Sequence, residues 1–172
     1  MNTVRQRRLQ SDYERLSKLV AAHQSSLMIE SARGNPPETY VVVFVGRSVA
    51  EVRGKVPVFC GQQRIKIEMP AEYPALPPLV TAFGAIFHPH VWPRNNVVCL
   101  GPWSITESLD NLVLRLHSLV RYDPAQLNWK NVANQEAAEW ARRNQHLFPL
   151  GCITPASSPA PPQQISDWHE TA

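Results

Sequence analysis

Proline is the residue that most constrains the fold of this chain, because 16 of the 172 residues are proline. Proline lacks a backbone N–H and its ring clashes with the preceding helical turn, so it breaks the interior of a helix. This density excludes a simple bundle of long helices. The length suits one domain of ordinary size rather than two, and an apolar fraction of 44% is enough to build a packed core.

The hydrophobic period changes along the chain and predicts an α+β fold. An apolar stripe at helical spacing covers residues 4–23. Runs of strand length with hairpin-like spacing follow at residues 27–30, 40–45, 56–59, 64–69 and 80–83. Residues 105–121 and 132–147 are helical again, and Ser104 with Glu107 fits a capping box. Strands segregated from helices predict an antiparallel meander with helices packed on one sheet.

Two segments lack any period. Residues 84–104 contain three prolines and two glycines, and an irregular stretch of about 20 residues inside a compact domain is often functional. Residues 149–172 contain five prolines and no apolar pattern, which predicts a flexible tail after a domain that covers residues 1–148.

The charge distribution bears on possible partners. The net charge is +3, and residues 1–18 hold five basic and two acidic residues. Such a local basic helix indicates either a solvated face or a docking face for an acidic protein, whereas nucleic-acid binders usually spread a basic stripe more widely. A nucleic acid is therefore not expected as a partner. A membrane is not expected either, because no apolar run approaches 18 residues.

The cysteines indicate the compartment. Cys60, Cys99 and Cys152 are widely spaced and form no Cys-x-x-Cys pair, which argues against a zinc ribbon or a thioredoxin motif. The first residues contain no apolar stretch of signal-peptide length. These features predict a cytoplasmic protein with reduced thiols.

The irregular loop also holds the candidate chemistry. Cys99 follows His88 and His90 by 11 and 9 residues. A lone cysteine in an apolar setting is most often a small buried hydrophobe, but a nearby histidine is the usual base for a cysteine nucleophile. A metal site would need a fourth ligand close to these three, and none is near in the sequence, so neither a metal nor a cofactor is expected.

Four motifs in this order resemble the core of ubiquitin-conjugating enzymes. Residues 73–78 read Tyr-Pro-Ala-Leu-Pro-Pro, and residues 87–90 read Phe-His-Pro-His where the family has a His-Pro-Asn tripeptide. Cys99-Leu100 matches the catalytic cysteine and its leucine, and residues 134–138 are similar to the family's Asn-Pro-Glu-Ala-Ala. The match covers about residues 4–148 and implies the UBC-like fold: an N-terminal helix, a four-stranded antiparallel meander, a long active-site loop and two C-terminal helices.

The resemblance also implies an activity. Cys99 would accept a ubiquitin-like modifier as a thioester from an activating enzyme and transfer it to an amine of a protein substrate, usually a lysine. With this resemblance, docking of the activating enzyme becomes the better interpretation of the basic helix, through Arg5, Arg8 and Arg15.

The departures from the family pattern concern the second chemical step. His90 replaces the tripeptide's asparagine, so it either donates a hydrogen bond to the oxyanion or only braces the loop. His88 belongs to the same candidate set, with a loop-holding role through its ring nitrogens favoured. Asn131 aligns with the acid that positions and deprotonates the incoming lysine.

These departures resemble divergent bacterial members of the family, several of which serve in antiphage defence. They also leave an alternative open: a catalytically weak or inactive member of the same fold that presents a modifier or a partner. The intact Val98-Cys99-Leu100 motif favours the enzyme.

Overall fold

The computed structural model describes residues 3–151, which begin with a capped helix. Helix α1 spans Val4–Ala22. The Thr3 hydroxyl accepts a hydrogen bond from the Gln6 backbone N–H, and the Gln6 side chain accepts one from the Thr3 N–H. This capping box satisfies two backbone donors that the first turn leaves without helical partners. The helix predicted from residue 4 is confirmed to within one residue at its end.

One antiparallel sheet follows, with the strands in sequence order. Its members are β1 Leu27–Gly34, β2 Pro37–Arg53, β3 Val56–Glu68 and β4 Leu79–Phe83. The predicted four-stranded meander is therefore confirmed. The runs at 56–59 and 64–69 form a single strand, because Gly61 continues the strand instead of turning it.

The helices after the sheet are shorter than predicted. Helix α2 spans Leu109–Val120 and helix α3 spans Gln135–Arg143. The predicted start at residue 105 is wrong, since residues 105–106 form a turn and Ile105 is 61% exposed. The predicted Ser104–Glu107 capping box is also wrong.

The actual caps explain these boundaries. The Leu109 N–H, at the start of α2, donates to Asp12 Oδ1 of α1 at 3.1 Å. Helix α3 begins at residue 135 rather than 132, because the side-chain oxygen of Asn134 accepts from the Ala137 N–H at 3.1 Å.

The domain has two hydrophobic clusters. In the larger, α1 and α2 contact each other and pack on the sheet. The smaller cluster is built around the buried rings of Tyr122 and Trp140, and the ring of Phe148 packs against both. The ring centroid of Tyr122 lies 4.6 Å from that of His88, so this cluster packs against the irregular loop that contains the candidate residues.

The first residues of the predicted tail contact the domain. The Leu150 N–H donates to the Arg121 carbonyl at 3.1 Å. Residues 152–172, including Cys152, lie outside the described residues, and the domain boundary at residue 148 stays a prediction. Within residues 3–151, no helix has the length and hydrophobicity required to cross a membrane.

Candidate active site

Cys99 lies in the irregular segment between β4 and α2, on a backbone that is paired on both sides. The Val98 N–H donates to the Val80 carbonyl of β4 at 2.8 Å, and the Cys99 N–H donates to the His90 carbonyl at 2.8 Å. The thiol is free and partly exposed. Backbone pairing therefore positions Cys99 although the segment contains no regular element.

The thiol faces a cleft of about 320 Å³. Residues 100–102 line it, α2 contributes Arg115 and Leu119, and the loop after α2 contributes residues 125–128 and Asn131. Gly101 has a φ of +70°, which a residue with a Cβ adopts at a cost. The cleft thus places the nucleophile between a tight turn and a longer loop.

His88 is fully buried, and its ring forms a hydrogen bond with the backbone. Its Nδ1 accepts a hydrogen bond from the His90 N–H at 3.0 Å. Burial, with a contribution from neighbouring His90, lowers the pKa of His88 to about 3. The ring is neutral at physiological pH and does not line the cleft. This geometry supports the loop-holding role over a catalytic one.

His90 lines the cleft, and one of its two ring nitrogens is already engaged. Its Nε2 accepts a hydrogen bond from the Asn128 N–H at 2.9 Å. Burial lowers the pKa of His90 below its ordinary value. The neutral ring therefore carries its proton on Nδ1 and braces the loop. An oxyanion-donor role would fall to the Nδ1–H group, and it stays an untested prediction.

Pro89 completes this anchor. Its carbonyl accepts hydrogen bonds from the N–H groups of Ala133 at 2.8 Å and Asn134 at 3.0 Å. The tripeptide therefore holds residues 128–134 at two points, through the His90 ring and the Pro89 carbonyl. The sequence provides no signal for the partner Asn128, because its contribution is a backbone N–H.

Asn131 is exposed and lines the cleft, and its side chain is an amide, which cannot serve as a base. Glu107 is the one carboxylate among the residues that line the described cleft. Its two oxygens accept from Arg115 Nε and Nη2, both at 2.8 Å. Sequence reasoning missed both residues of this pair, since it assigned Glu107 to a cap and gave Arg115 no role.

The three candidate docking arginines have different surroundings. Arg8 donates to Asp12 at 2.9 Å and to the carbonyls of Ile105 and Glu107. Arg5 pairs with Glu38 at 2.9 Å. Arg15 is exposed and forms no ion pair within residues 3–151. Docking stays a prediction, and of these three Arg15 presents its charge most openly.

The described residues also bear on metal binding. Across residues 3–151, no three side chains of His, Cys, Asp or Glu converge to hold a metal ion. Nδ1 of His88 and Nε2 of His90 each accept a hydrogen bond from a backbone N–H group instead.

Comparisons with known proteins agree with this arrangement. A family model of the ubiquitin-conjugating enzymes matches residues 49–150. A Plasmodium yoelii chain, solved by crystallography and assigned as a ubiquitin-conjugating enzyme, is similar at 19% identity with a TM-score of 0.57. The similarity covers 82% of this chain and 87% of that one. A structure described as a novel ubiquitin-conjugating enzyme has 19% identity and a TM-score of 0.58, covering 83% and 88%.

At this identity the two structures show a shared fold. The family match carries more, because it spans more than half of the chain and includes the tripeptide, Cys99 and both walls of the cleft. The chain belongs to the ubiquitin-conjugating enzyme family.

Proposed function

We propose that this chain carries a ubiquitin-like modifier as a thioester on Cys99 and passes it to an amine of a protein substrate. The observation that carries the proposal is the free, partly exposed thiol on a doubly paired backbone at the cleft. The second described thiol, Cys60, has a different setting. Its Sγ lies 2.9 Å from Ser48 Oγ in the β2–β3 pairing, and it does not line the cleft.

The first step is an exchange of thioesters. The thiolate of Cys99 attacks the carbonyl carbon that joins the modifier's C-terminus to the activating enzyme's cysteine. A new C–S bond forms to Cys99, the old C–S bond breaks, and the activating enzyme's cysteine leaves as a thiolate. Arg15 on the exposed face of α1 is the cation we propose for docking that enzyme, with Arg5 and Arg8 behind it.

The second step is an aminolysis. A neutral amine attacks the thioester carbonyl, a C–N bond forms, the C–S bond to Cys99 breaks, and the departing Cys99 thiolate takes up the amine's proton to become a thiol. The oxyanion that develops needs a positioned donor. The Asn131 side chain lines the cleft and, as an amide, can donate a hydrogen bond but cannot remove the proton from lysine. We therefore assign Asn131 a donor's role rather than that of a base.

The pathway is part of the same proposal. A ubiquitin-like modifier, its activating enzyme and a protein substrate are the partners. A role in antiphage defence rests on the sequence resemblance to divergent bacterial members alone.

A second candidate function is a binding module that presents a modifier without transferring it. The specific observation in its favour is that His90 uses its ring on the 128–131 loop while Asn131 supplies no base. The thiol would then have no chemical role.

Loading of Cys99 separates the two functions. The chain, its activating enzyme, ATP and modifier should give an adduct that resists denaturant and disappears with a reducing agent. Cys99→Ala should abolish the adduct, whereas the matched variants Cys60→Ala and Cys152→Ala should load normally.

The opposite results are equally clear. An adduct that persists on Cys99→Ala contradicts the assignment of the nucleophile. An activating enzyme that charges itself but never loads the wild-type chain, together with measurable binding of the modifier, supports the binding module.

A further inference from the structure

We propose that Arg115 is a positioning residue for Cys99, acting through the backbone of the residue that follows the nucleophile. Its Nη1 donates to the Leu100 carbonyl at 2.7 Å, while Nε and Nη2 form the two-pronged pair with Glu107. This inference rests on the proposed function of Cys99. It concerns a contact that neither the tripeptide nor the cysteine motif contains.

The chain is held unequally on the two sides of the nucleophile. Before and at Cys99, the backbone pairs with β4 and with His90. After it, the Arg115 guanidinium is the one group found among residues 3–151 that hydrogen-bonds to residues 100–102. Gly101 and Pro102 are exposed, and a Cβ on Gly101 would meet nothing within 4 Å. The Leu100 and Trp103 side chains pack against the core, so Arg115 adds the one directional contact to the backbone of this turn.

Arginine suits this position because its planar fork offers five donors in fixed directions. Three donor nitrogens are used here, on three acceptor atoms of two residues, Leu100 and Glu107, which lie 7 residues apart in the chain. Lysine has a single terminal nitrogen and cannot reproduce the two-pronged geometry while also reaching the carbonyl.

The anchor behind Arg115 is rigid. Leu112, one turn before Arg115, and Leu116, directly after it, are fully buried, and Asp12 caps the start of the helix. The carbonyl of Glu107 also accepts from Arg8 of α1. The side chains of Arg115 and Glu107 are only 22% and 17% exposed. The pair is therefore largely shielded from solvent. Through Arg115, the Leu100 carbonyl is held at a fixed position relative to α2.

The expected consequence of losing this contact is kinetic. A displacement of about 1 Å at a reacting group can cost on the order of 10²-fold in rate. The substitution Arg115→Gln should slow loading of Cys99 by roughly 10–100-fold. Glu107→Gln is the matched control, because it removes the charge pair while Arg115 keeps its bond to Leu100, and it should slow loading far less.

The experiment measures three quantities on each variant: the loading rate, the melting temperature and the hydrogen exchange of the 97–103 segment. Faster exchange in that segment for Arg115→Gln, but not for Glu107→Gln at a similar melting temperature, supports positioning. Equal losses of loading and melting temperature in both variants would overturn it, as would wild-type loading in Arg115→Gln.

Two further arms keep the proposal testable. If Arg115→Gln does not fold, Arg115→Lys retains the charge, and it should load more slowly than Glu107→Gln. If wild-type Cys99 does not load at all, the proposed function fails. The exchange comparison still decides whether Arg115 restrains the turn after Cys99, and equal exchange in wild type and Arg115→Gln contradicts that.

Discussion

The sheet with α1 and α2, which we term the packed layer, differs from the active-site segment, residues 84–108 and 121–134. In the packed layer, strand pairing and buried aliphatic side chains hold every element. In the active-site segment, a few polar contacts hold the chain, above all the rings of His88 and His90, the Pro89 carbonyl and the Arg115 fork. The first arrangement distributes its free energy over many residues, whereas the second concentrates it in a few.

This difference teaches where single substitutions act. A change in the packed layer alters the free energy of unfolding through burial and capping. A change in the active-site segment alters the position of Cys99 and its cleft at a smaller cost in stability. The three predictions below test that division, beginning with the largest expected effect on stability.

Charge reversal on α1 should distinguish Arg8 from Arg15. Asp12 is 1% exposed, pairs with Arg8 and caps α2. Arg8→Glu should lower the free energy of unfolding by about 3 kcal/mol, because it leaves a buried carboxylate without its partner beside a second acid. Arg15→Glu should change it by no more than about 0.5 kcal/mol, since Arg15 is exposed. Denaturant titration measures both values.

The same pair tests docking. If α1 docks the activating enzyme, Arg15→Glu should slow loading of Cys99 in the fully folded protein, and added salt should weaken wild-type loading in the same direction. Unchanged loading by Arg15→Glu at low salt contradicts docking through this charge.

Acid should destabilise the packed layer through His117. This side chain is 2% exposed, its ring lies edge-on to Phe44, and neither ring nitrogen has a partner among residues 3–151. Burial lowers the pKa of His117 to about 4, with smaller contributions from Arg121 and His23. The unfolded chain protonates first, near pH ~6.5, so stability is lost as the pH falls from there toward 4.

The expected loss from His117 is about 2 kcal/mol between pH 7 and pH 5. His117→Leu should remove that part of the pH dependence, whereas His146→Ala, at an exposed position, should not. Denaturant titrations at pH 5, 6 and 7 measure the slope. An identical slope in wild type and His117→Leu would contradict a buried neutral imidazole. His88, with a pKa of about 3, adds to the same dependence in both proteins.

His90→Ala should affect stability less than Arg8→Glu or the protonation of His117, and it should have a clear effect on rate. It removes the acceptor of the Asn128 N–H, and one such hydrogen bond is worth about 1 kcal/mol. As a brace for the loop, His90 should affect loading and discharge to lysine together. His90→Asn is the matched variant, because an amide can replace one contact.

The other outcome identifies a donor. Slower discharge with normal loading in His90→Ala, recovered in part by His90→Asn, would assign the oxyanion role to the ring. Single-turnover discharge of loaded protein, compared with the loading rate, separates the two possibilities.

Local sequence patterns predicted most of the packed layer. The apolar spacing in residues 4–23 and the alternation in residues 64–69 correspond to α1 and to part of β3. Those patterns suffice because burial on one face imposes a period of 3.6 in a helix and 2 in a strand. The start of α2 was predicted wrongly because its cap comes from Asp12, 97 residues away in the chain.

The candidate site was predictable only in its components. Cys99 and the tripeptide stand out as motifs, and the structure brings Cys99 and His90 to one cleft. The role of His88 in holding the His90 N–H follows a short-range pattern, two residues apart. The Asn128 N–H bound by His90 and the Leu100 carbonyl bound by Arg115 could not be predicted, because they are backbone groups of a kind that almost every residue carries.

By itself, the sequence determined the order of helices and strands, the single antiparallel sheet and the identity of the nucleophile candidate. The first two follow from side-chain periods within a few neighbouring positions, and the third follows from the resemblance carried by four motifs in order. Only the tertiary structure decided that Arg8 serves the interior, that His90 braces the 128–131 loop, and that Arg115 holds Leu100. The physical reason is that a hydrogen bond depends on which donor and acceptor the fold brings within about 3 Å, and sequence distance does not limit that choice.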